Sequence, residues 1–233
     1  MTGWFRALIW MLAAGGFVRL AAQVDDNAHA WFNYFGDHPI STKSRWGVHL
    51  EGQWRRSDLG LTWQQLLLRP GVNFQLHRRV MLTGGYAYVD TFRYGDFPAR
   101  AKFGEHRIYQ QAQITQRAFK LDWQHRLRLE QRHLRGFAAR YENRFRYMLR
   151  VNVPLRRRFY VGLYDEYFHN FGRQVAANKF DQNRAYIAVG HPIARNTRLE
   201  VGLMEQTLQQ RSGRYEHNHT LMVSVFSRLP WGK

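Results

Sequence analysis

The amino-acid sequence predicts an all-β protein: a closed antiparallel up-and-down transmembrane β-barrel of 10–12 strands, preceded by a signal peptide. Three observations support this prediction. Apolar and polar residues alternate along segment after segment of the chain. Aromatic residues, which favour strands, make up 15% of the 233 residues. Beyond the N-terminus no run of about 18 apolar residues occurs, so the sequence offers no candidate for a spanning helix.

The first 22 residues have the composition of a signal peptide. Arg6 supplies the positive charge, residues 7–17 are apolar, and the small residues Ala21 and Ala22 precede a cleavage position. The apolar stretch is too short to span a bilayer. We therefore expect residues 1–22 to be removed on export and residues 23–233 to form the barrel domain. An uncleaved anchor or a first structural helix is the alternative interpretation.

The clearest strand is the segment 121–132, where apolar side chains form one row and Arg, Gln and Glu side chains form the other. At helical spacing these arginines would scatter around the axis, whereas at strand spacing they share one face. The same alternation occurs at 46–55, 64–76, 141–153, 198–203 and 218–225, and more weakly at 29–35, 80–89, 105–116, 159–168 and 182–190. Several segments have the roughly 9–11 residues that a tilted strand needs to cross a bilayer. The count is eleven.

The predicted connections alternate between short basic turns and longer loops. Short turns fall near 76–79, 116–118, 154–157 and 192–196, and longer loops at 90–104 and 169–180. This alternation is typical of outer-membrane barrels and predicts that the basic turns face the periplasm. Such barrels have even strand numbers, so a count of eleven implies a split or missed strand, or that 29–35 is not a full strand.

Two positions carry turn or bulge chemistry. Pro70 and Gly71 inside a strand predict a bulge that curves the sheet. After the second long loop, Asp181 and Asn183 are expected to close a turn by bonding to the backbone, while Arg184 enters the barrel interior. A ligand-recognition edge is the alternative for this second segment.

The face assignment follows from the choice of residues in each row. The polar rows combine Arg with Glu and Gln and almost lack Lys, and Arg is the residue suited to packed ion pairs. The apolar rows carry aromatic residues near strand ends, such as Trp46 and Trp54, as membrane girdles do. We therefore expect the charged rows to line the lumen. The predicted lumen charge lattice comprises Arg69, Arg107, Arg126, Arg128, Glu130, Arg132, Glu142, Arg144, Arg146, Arg150, Glu166 and Arg184.

The composition also limits the kinds of ligand and catalytic site that the chain could form. The chain has no cysteine, which excludes disulfides, thiolate metal sites and cysteine nucleophiles. Its formal net charge of +18 suggests a nucleic-acid partner, but the arginines are spread singly through alternating segments, so none is expected. The 11 histidines lack metal-site spacing, and no metal or cofactor is expected. His219 and Ser224 fall on opposite strand faces, so no catalytic residues are proposed.

Several runs of residues resemble a known family. They are 68–71, 105–107, 125–132, 140–146, 165–170 and 180–184, the most specific being those around Glu130 and Asp181. These runs resemble an uncharacterised bacterial outer-membrane family catalogued as domain of unknown function 2490. The resemblance covers about Trp31 to Gln206 and implies an outer-membrane barrel, but it implies no activity or substrate. The C-terminus departs from the usual ending, because Phe226 is followed by residues 227–233.

Function remains open among three classes at this point. The arginine excess would give the lumen a positive potential, which favours small anions and therefore a narrow anion pore or a structural barrel. A barrel-borne lipid-modifying enzyme is the second class. A soluble periplasmic barrel that binds an acidic ligand is the third. In the first two classes the protein lies in the bacterial outer membrane after export through the inner membrane, with outer-membrane lipid as its partner.

Overall fold

The computed structural model describes residues 24–93, 102–135, 140–175 and 177–232. The predicted signal peptide lies outside these residues. The described part forms eleven strands: β1 (Val24–Pro39), β2 (Trp46–Ser57), β3 (Thr62–His77), β4 (Val80–Thr91), β5 (Phe103–Ala118), β6 (Leu121–Arg135), β7 (Arg140–Pro154), β8 (Tyr160–Phe171), β9 (Phe180–Ala194), β10 (Thr197–Gln209) and β11 (Tyr215–Ser227). Within the described residues, no helix has the length and apolar character that crossing a membrane requires.

The eleven strands close into one barrel. Each strand pairs antiparallel with its neighbours in the chain, and β1 pairs with β11 to complete the circle. This confirms the predicted all-β closed barrel of 10–12 strands, but the expectation that a count of eleven meant a split, missed or incomplete strand is wrong, and one pairing is not antiparallel. The β1–β11 pairing is parallel, because an odd number of alternating strands leaves the first and last pointing the same way. The weakly predicted segment 29–35 is the centre of a full strand of 16 residues.

Polar and apolar side chains alternate along the strands, so that most polar residues face the interior of the barrel and most apolar residues face outward. Odd-numbered residues face inward on β1 to β5 and even-numbered residues on β6 to β11, and most buried polar side chains occupy these positions. The outer face carries large apolar side chains, among them Ile108 at 60% exposure and Leu203 at 63%. The interior of the barrel is thus mainly polar and its outer face mainly apolar.

One buried apolar cluster interrupts the polar interior. It comprises Trp31, Tyr186, Ala188, Met204 and Met222, from β1, β9, β10 and β11. The cluster lies where the two ends of the chain meet. Apolar packing therefore supports the parallel seam from inside the barrel.

Pro70 and Gly71 do not form the predicted bulge. The pairing of β3 with β2 continues without a shift here, with Leu50 opposite Pro70 and His49 opposite Gly71. Instead, the ring of Tyr109 lies against Gly71 and Gly85, and a Cβ atom at either position would collide with it. Glycine is needed here because a side chain from β5 occupies the space above the strand.

The two ends of the barrel differ. At one end, here called the turn end, are the connections 40–45, 78–79, 119–120, 155–159 and 195–196, together with the C-terminal tail 228–232. The opposite end, where β1 begins, is called the loop end. The tail folds back over β1: the amide of Trp231 donates to the carbonyl of Pro39 at 3.0 Å, and His38 Nδ1 lies 2.8 Å from the carbonyl of Leu229.

The parallel seam can be tested with paired cysteines, since the native chain has none. Phe32 and Val223 are partners across the seam. We expect Phe32→Cys with Val223→Cys to form a disulfide on mild oxidation, because adjacent strands lie about 5 Å apart. Non-reducing electrophoresis of the folded barrel measures the cross-link.

The matched control combines Phe32→Cys with Val201→Cys. Val201 pairs with Val223 on the far side of β11, so it lies two strands from Phe32, about 10 Å away. This pair should remain reduced, since that separation exceeds disulfide reach. Cross-linking of the control pair, or none in the seam pair, would disprove the eleven-stranded closure.

Candidate functional site: the charged interior

Glu130 on β6 is the centre of the interior. Its carboxylate is fully buried and accepts hydrogen bonds from Arg69 at 3.2 Å, Arg144 at 2.5 Å and Arg146 at 2.9 Å. The guanidinium groups of Arg107 and Arg128 approach it to 4.0 and 3.9 Å. One carboxylate is therefore surrounded by five arginines, and the charge-assisted hydrogen bonds offset its loss of hydration.

The ion pairs continue from Glu130 across the lumen. Arg69 on β3 also donates to Glu51 on β2 at 2.6 Å. Arg146 donates to Glu166 on β8 at 2.8 Å, and Arg144 donates to Asp181 on β9 at 2.8 Å. A connected set of charged side chains thus joins β2, β3, β6, β7, β8 and β9. We call this set the central lattice.

Further pairs flank the central lattice on both sides. Toward the loop end, Glu105 accepts hydrogen bonds from Arg107 at 2.7 Å and Arg132 at 2.5 Å. Glu142 accepts one from Arg211, which belongs to the β10–β11 connection. Elsewhere in the interior Arg126 donates to Glu166 at 2.8 Å, and Arg150 donates to Glu200.

The structure places the twelve predicted lumen residues together inside the barrel. Within the described chain, eleven of them lie within 4.0 Å of an opposite charge; the remaining one is Arg184. Glu51, Glu105 and Glu200 also lie in the lumen; they belong to polar rows of the predicted strands 46–55, 105–116 and 198–203 but not to this set. The sequence pattern did not indicate Arg211, which reaches in from a loop and belongs to no alternating row.

Two buried arginines rest on aromatic rings instead of carboxylates. The guanidinium carbon of Arg55 lies 4.0 Å from the ring centroid of Trp31, and that of Arg184 lies 5.1 Å from it. Arg184 also lies 4.8 Å from the ring centroid of Phe168. Arg55 donates hydrogen bonds to the side chains of Gln53 and Gln65. The face of an aromatic ring attracts a cation, but more weakly than a carboxylate does.

Asp181 joins the central lattice instead of closing a turn, so the expected backbone bond is wrong. Its carboxylate accepts hydrogen bonds from Arg144 and from Asn170, the latter at 3.0 Å. The register of β8 and β9 shifts between Phe168 and His169, opposite this position. The shift turns an odd-numbered residue of β9 inward. Asn183 lies outside and donates to Asp165 at 3.1 Å.

A cavity of about 880 Å³ opens at the turn end. We call it the vestibule. Seven arginines and two aspartates line it: Arg78, Arg79, Arg117, Arg158, Arg195, Arg198 and Arg228, with Asp37 and Asp122. A concave surface with this excess of positive charge concentrates anions.

A smaller cavity of about 130 Å³ lies beneath the vestibule and shares six of its lining residues. Among the shared residues are Phe35, Arg198 and Phe226. The smaller cavity extends to Trp31 and Arg184 and is bounded by members of the central lattice. The vestibule therefore leads inward to the aromatic-stacked Arg184.

Most histidine side chains lie on the outer face of the barrel. His219 Nδ1 lies 2.6 Å from Glu205, and both side chains are largely exposed. Ser224 is buried inside, where it accepts a hydrogen bond from Asn33, so it lies on the opposite face from His219. Within the described ranges, no three His, Asp or Glu side chains converge as metal ligands would.

The comparisons with known proteins bear on most of the barrel. A family model described as a protein of unknown function, DUF2490, matches residues 28–217, and so bears out the resemblance read from the sequence. An uncharacterized protein of Methylorubrum extorquens is 25% identical over 186 residues, covering 70% of this chain and 72% of that protein. No solved structure matches.

The importance of Glu130 for the fold can be tested by Glu130→Gln. The substitution keeps the shape of the side chain but leaves the surrounding arginines without their shared charge. We expect the free energy of unfolding to fall by about 3–5 kcal/mol, as when one partner of a buried pair is removed. Urea unfolding of the barrel in detergent micelles, followed by tryptophan fluorescence, measures the change.

Asp122→Asn is the matched control, because Asp122 is a carboxylate at 54% exposure, 3.8 Å from Arg117. Its removal should change the free energy of unfolding by about 1 kcal/mol or less. Equal effects of the two substitutions would show that Glu130 has no special structural role.

Proposed function

This chain belongs to the DUF2490 family of unknown function, and from that premise we propose that it is an outer-membrane barrel whose lumen is plugged by ion pairs. In this proposal residues 1–22 direct export, the outer face contacts lipid, and the protein is a structural barrel instead of an open pore. The observation that carries the proposal is the inverted distribution of side chains, apolar outside and charged inside.

The apolar outer face supports a lipid environment. Leu203 lies between its strand partners Ile187 and Leu221, and all three are large apolar residues at 43% exposure or more. A continuous apolar surface of this kind is an aggregation hazard in water. In a bilayer it is the required surface, and a closed barrel satisfies its backbone hydrogen bonds internally. Strands of 12 to 16 residues exceed the roughly 9–11 that a crossing needs.

The central lattice supports a plugged lumen. Ions pass through porin-type barrels because their interior holds a continuous water-filled path. Here Glu130, Arg69 and Arg146 meet in the interior with at most 5% exposure each. An anion entering the vestibule would reach these paired side chains and could advance only by breaking their ion pairs, which is costly.

The membrane location can be tested with Leu203→Arg. If Leu203 faces lipid near mid-membrane, this substitution should lower the free energy of unfolding in lipid vesicles by about 2–4 kcal/mol. On a water-exposed surface the same change would be nearly neutral. Phe119→Arg, in the β5–β6 turn at 91% exposure, is the control and should have little effect.

Fractionation of native membranes accompanies this measurement. The wild-type protein should remain in the membrane after carbonate extraction and migrate differently on a gel when unboiled. Two results together would refute the spanning barrel: an unchanged free energy of unfolding in Leu203→Arg, and release of the wild-type protein by carbonate. They would favour a soluble protein that binds acidic ligands.

If the central lattice blocks the lumen, the barrel should not conduct ions. The wild-type barrel in a planar bilayer should give no stable conductance steps, whereas the combined Arg69→Ala and Glu130→Ala variant should give them. This pair of substitutions removes one charge of each sign and opens space at the centre of the lattice. Glu205→Ala on the outer face is the control and should not conduct. Stable anion-selective steps from the wild-type protein would instead support a pore.

A further inference from the structure

We infer that the vestibule and the small cavity beneath it form a binding site for phosphate, either as the free ion or as the phosphate group of a soluble molecule, with Arg184 as its principal ligand. The inference goes beyond the proposed function. It rests on the interior of the barrel and does not depend on which solvent surrounds the outer face.

Arg184 is a buried cation with no ion pair within 4.0 Å in the described residues. Its cross-strand partner on β8, Glu166, is paired with Arg126 and Arg146 instead. Arg184 is 7% exposed, and its side chain makes no hydrogen bond or ion pair with the described part of the chain. Its guanidinium carbon lies 5.1 Å from the ring centroid of Trp31 and 4.8 Å from that of Phe168. A buried guanidinium normally has a carboxylate or a bound anion beside it, because an unpaired buried charge is strongly destabilising. The cavity next to Arg184 is where such an anion fits.

Other donors in the same cavity wall make no hydrogen bond to the described residues, although Arg128 Nη1 and Arg198 Nε lie 3.9 and 3.7 Å from the carboxylates of Glu130 and Glu200. Within the described structure, Arg126 Nε, Arg128 Nη1, Arg184 Nε and Arg198 Nε are buried without a hydrogen-bond partner. All four residues line the small cavity. Guanidinium groups suit the oxygens of phosphate in both geometry and charge, since they offer several N–H donors in a rigid plane.

The charge balance of the small cavity favours an anion as well. Six arginines line it, against the three carboxylates Asp37, Glu51 and Glu166. Those carboxylates are already engaged, Glu51 with Arg69, Glu166 with Arg146, and Asp37 with His49. Two carboxylates behind the wall, Glu130 and Glu200, pair with Arg146 and Arg150. Six arginines therefore face five carboxylates, and an oxyanion beside Arg184 would offset the remaining positive charge.

The size and access of the site define the ligand. A cavity of about 130 Å³ has room for a single tetrahedral oxyanion. The vestibule above it, with seven arginines and 880 Å³, has room for the rest of a phosphorylated molecule. Entry is from the turn end, because the central lattice lies on the inner side of the cavity.

The experiment is calorimetric titration of the full chain, in a non-ionic detergent at constant ionic strength, with inorganic phosphate. We expect saturable binding to the wild-type protein. Arg184→Met should weaken it at least tenfold, the loss that removal of one charged hydrogen bond brings. Arg173→Met removes an exposed arginine at the loop end and should leave the affinity within twofold.

Unfolding measurements give an independent readout. Arg184→Met removes an unpaired buried charge, so the variant should fold and keep or raise its urea midpoint. Phosphate should raise the urea midpoint of the wild-type protein, because a ligand that binds the folded state stabilises it, but it should not raise that of the variant.

A second titration with glucose 6-phosphate identifies the source of the phosphate group. Binding that depends equally on Arg184 indicates a phosphorylated solute, whereas binding of inorganic phosphate alone indicates the free ion. Absence of binding to the wild-type protein, or equal weakening by Arg184→Met and Arg173→Met, would overturn the inference. Neither result would affect the membrane location tested with Leu203→Arg.

Discussion

The buried carboxylate of Glu130 is the contact on which the arrangement of the interior depends. Because the outer face consists mainly of Leu, Ile and aromatic residues, most charges of the strands lie in the lumen and must neutralise one another at short range. The carboxylate of Glu130 neutralises arginines from β3 and β7 at the same time. Because β3 and β6 are not neighbours in the sheet, the Arg69–Glu130 pair braces the barrel across its interior. Sheet hydrogen bonds cannot do this, since they join adjacent strands only.

The use of arginine over lysine follows from this geometry. All four described lysines, Lys43, Lys102, Lys120 and Lys179, lie in connections, and none lies in a strand. A single guanidinium can serve two carboxylates, as Arg69 does with Glu51 and Glu130 and as Arg144 does with Glu130 and Asp181. An ammonium group presents a compact point charge and lacks this planar fork. The ion pairs form one connected lattice because each planar guanidinium group can bridge two carboxylates.

Charge is unevenly distributed along the barrel axis. Around Glu130 the cations and anions interlock, whereas the vestibule arginines have few carboxylates beside them. The interior is consequently divided into a neutralised centre and a positive compartment open at one end. Arg184 lies near the boundary, where aromatic rings take the place of carboxylates.

Much of the fold could be predicted from sequence, because a period of two is a local signal. Segment 121–132 shows it clearly, since its inward row is polar and its outward row mainly apolar. The signal is weak in β1, where Trp31 faces inward and its neighbour Phe32 outward, so both rows contain aromatic residues. The predicted lumen residues came from the same local signal, and the structure brings them together.

What could not be predicted depends on contacts between distant segments. The partners Arg69 and Glu130 are 61 positions apart, and nothing in either strand alone indicates the pairing. Gly71 was interpreted as a bulge because the Tyr109 ring that requires a glycine belongs to another strand. Asp181 was assigned to a turn because a register shift between two strands leaves no pattern within either one. The parallel closure likewise involves the two chain ends.

The parallel seam has a consequence for how the barrel assembles. Ten of the pairings can form between consecutive strands as short hairpins, but the eleventh must bring together segments about 190 residues apart, such as Asn33 and Ser224. The loss of chain entropy in closing the ring is therefore concentrated in one pairing, and that pairing has the slightly weaker parallel hydrogen-bond pattern. The C-terminal tail lies beside this seam, where the amide of Trp231 donates a hydrogen bond to the carbonyl of Pro39. The tail therefore adds a contact between the first and last strands. Because the β1–β11 pairing joins the most distant segments of the chain, we expect ring closure to be the slow, late step of folding.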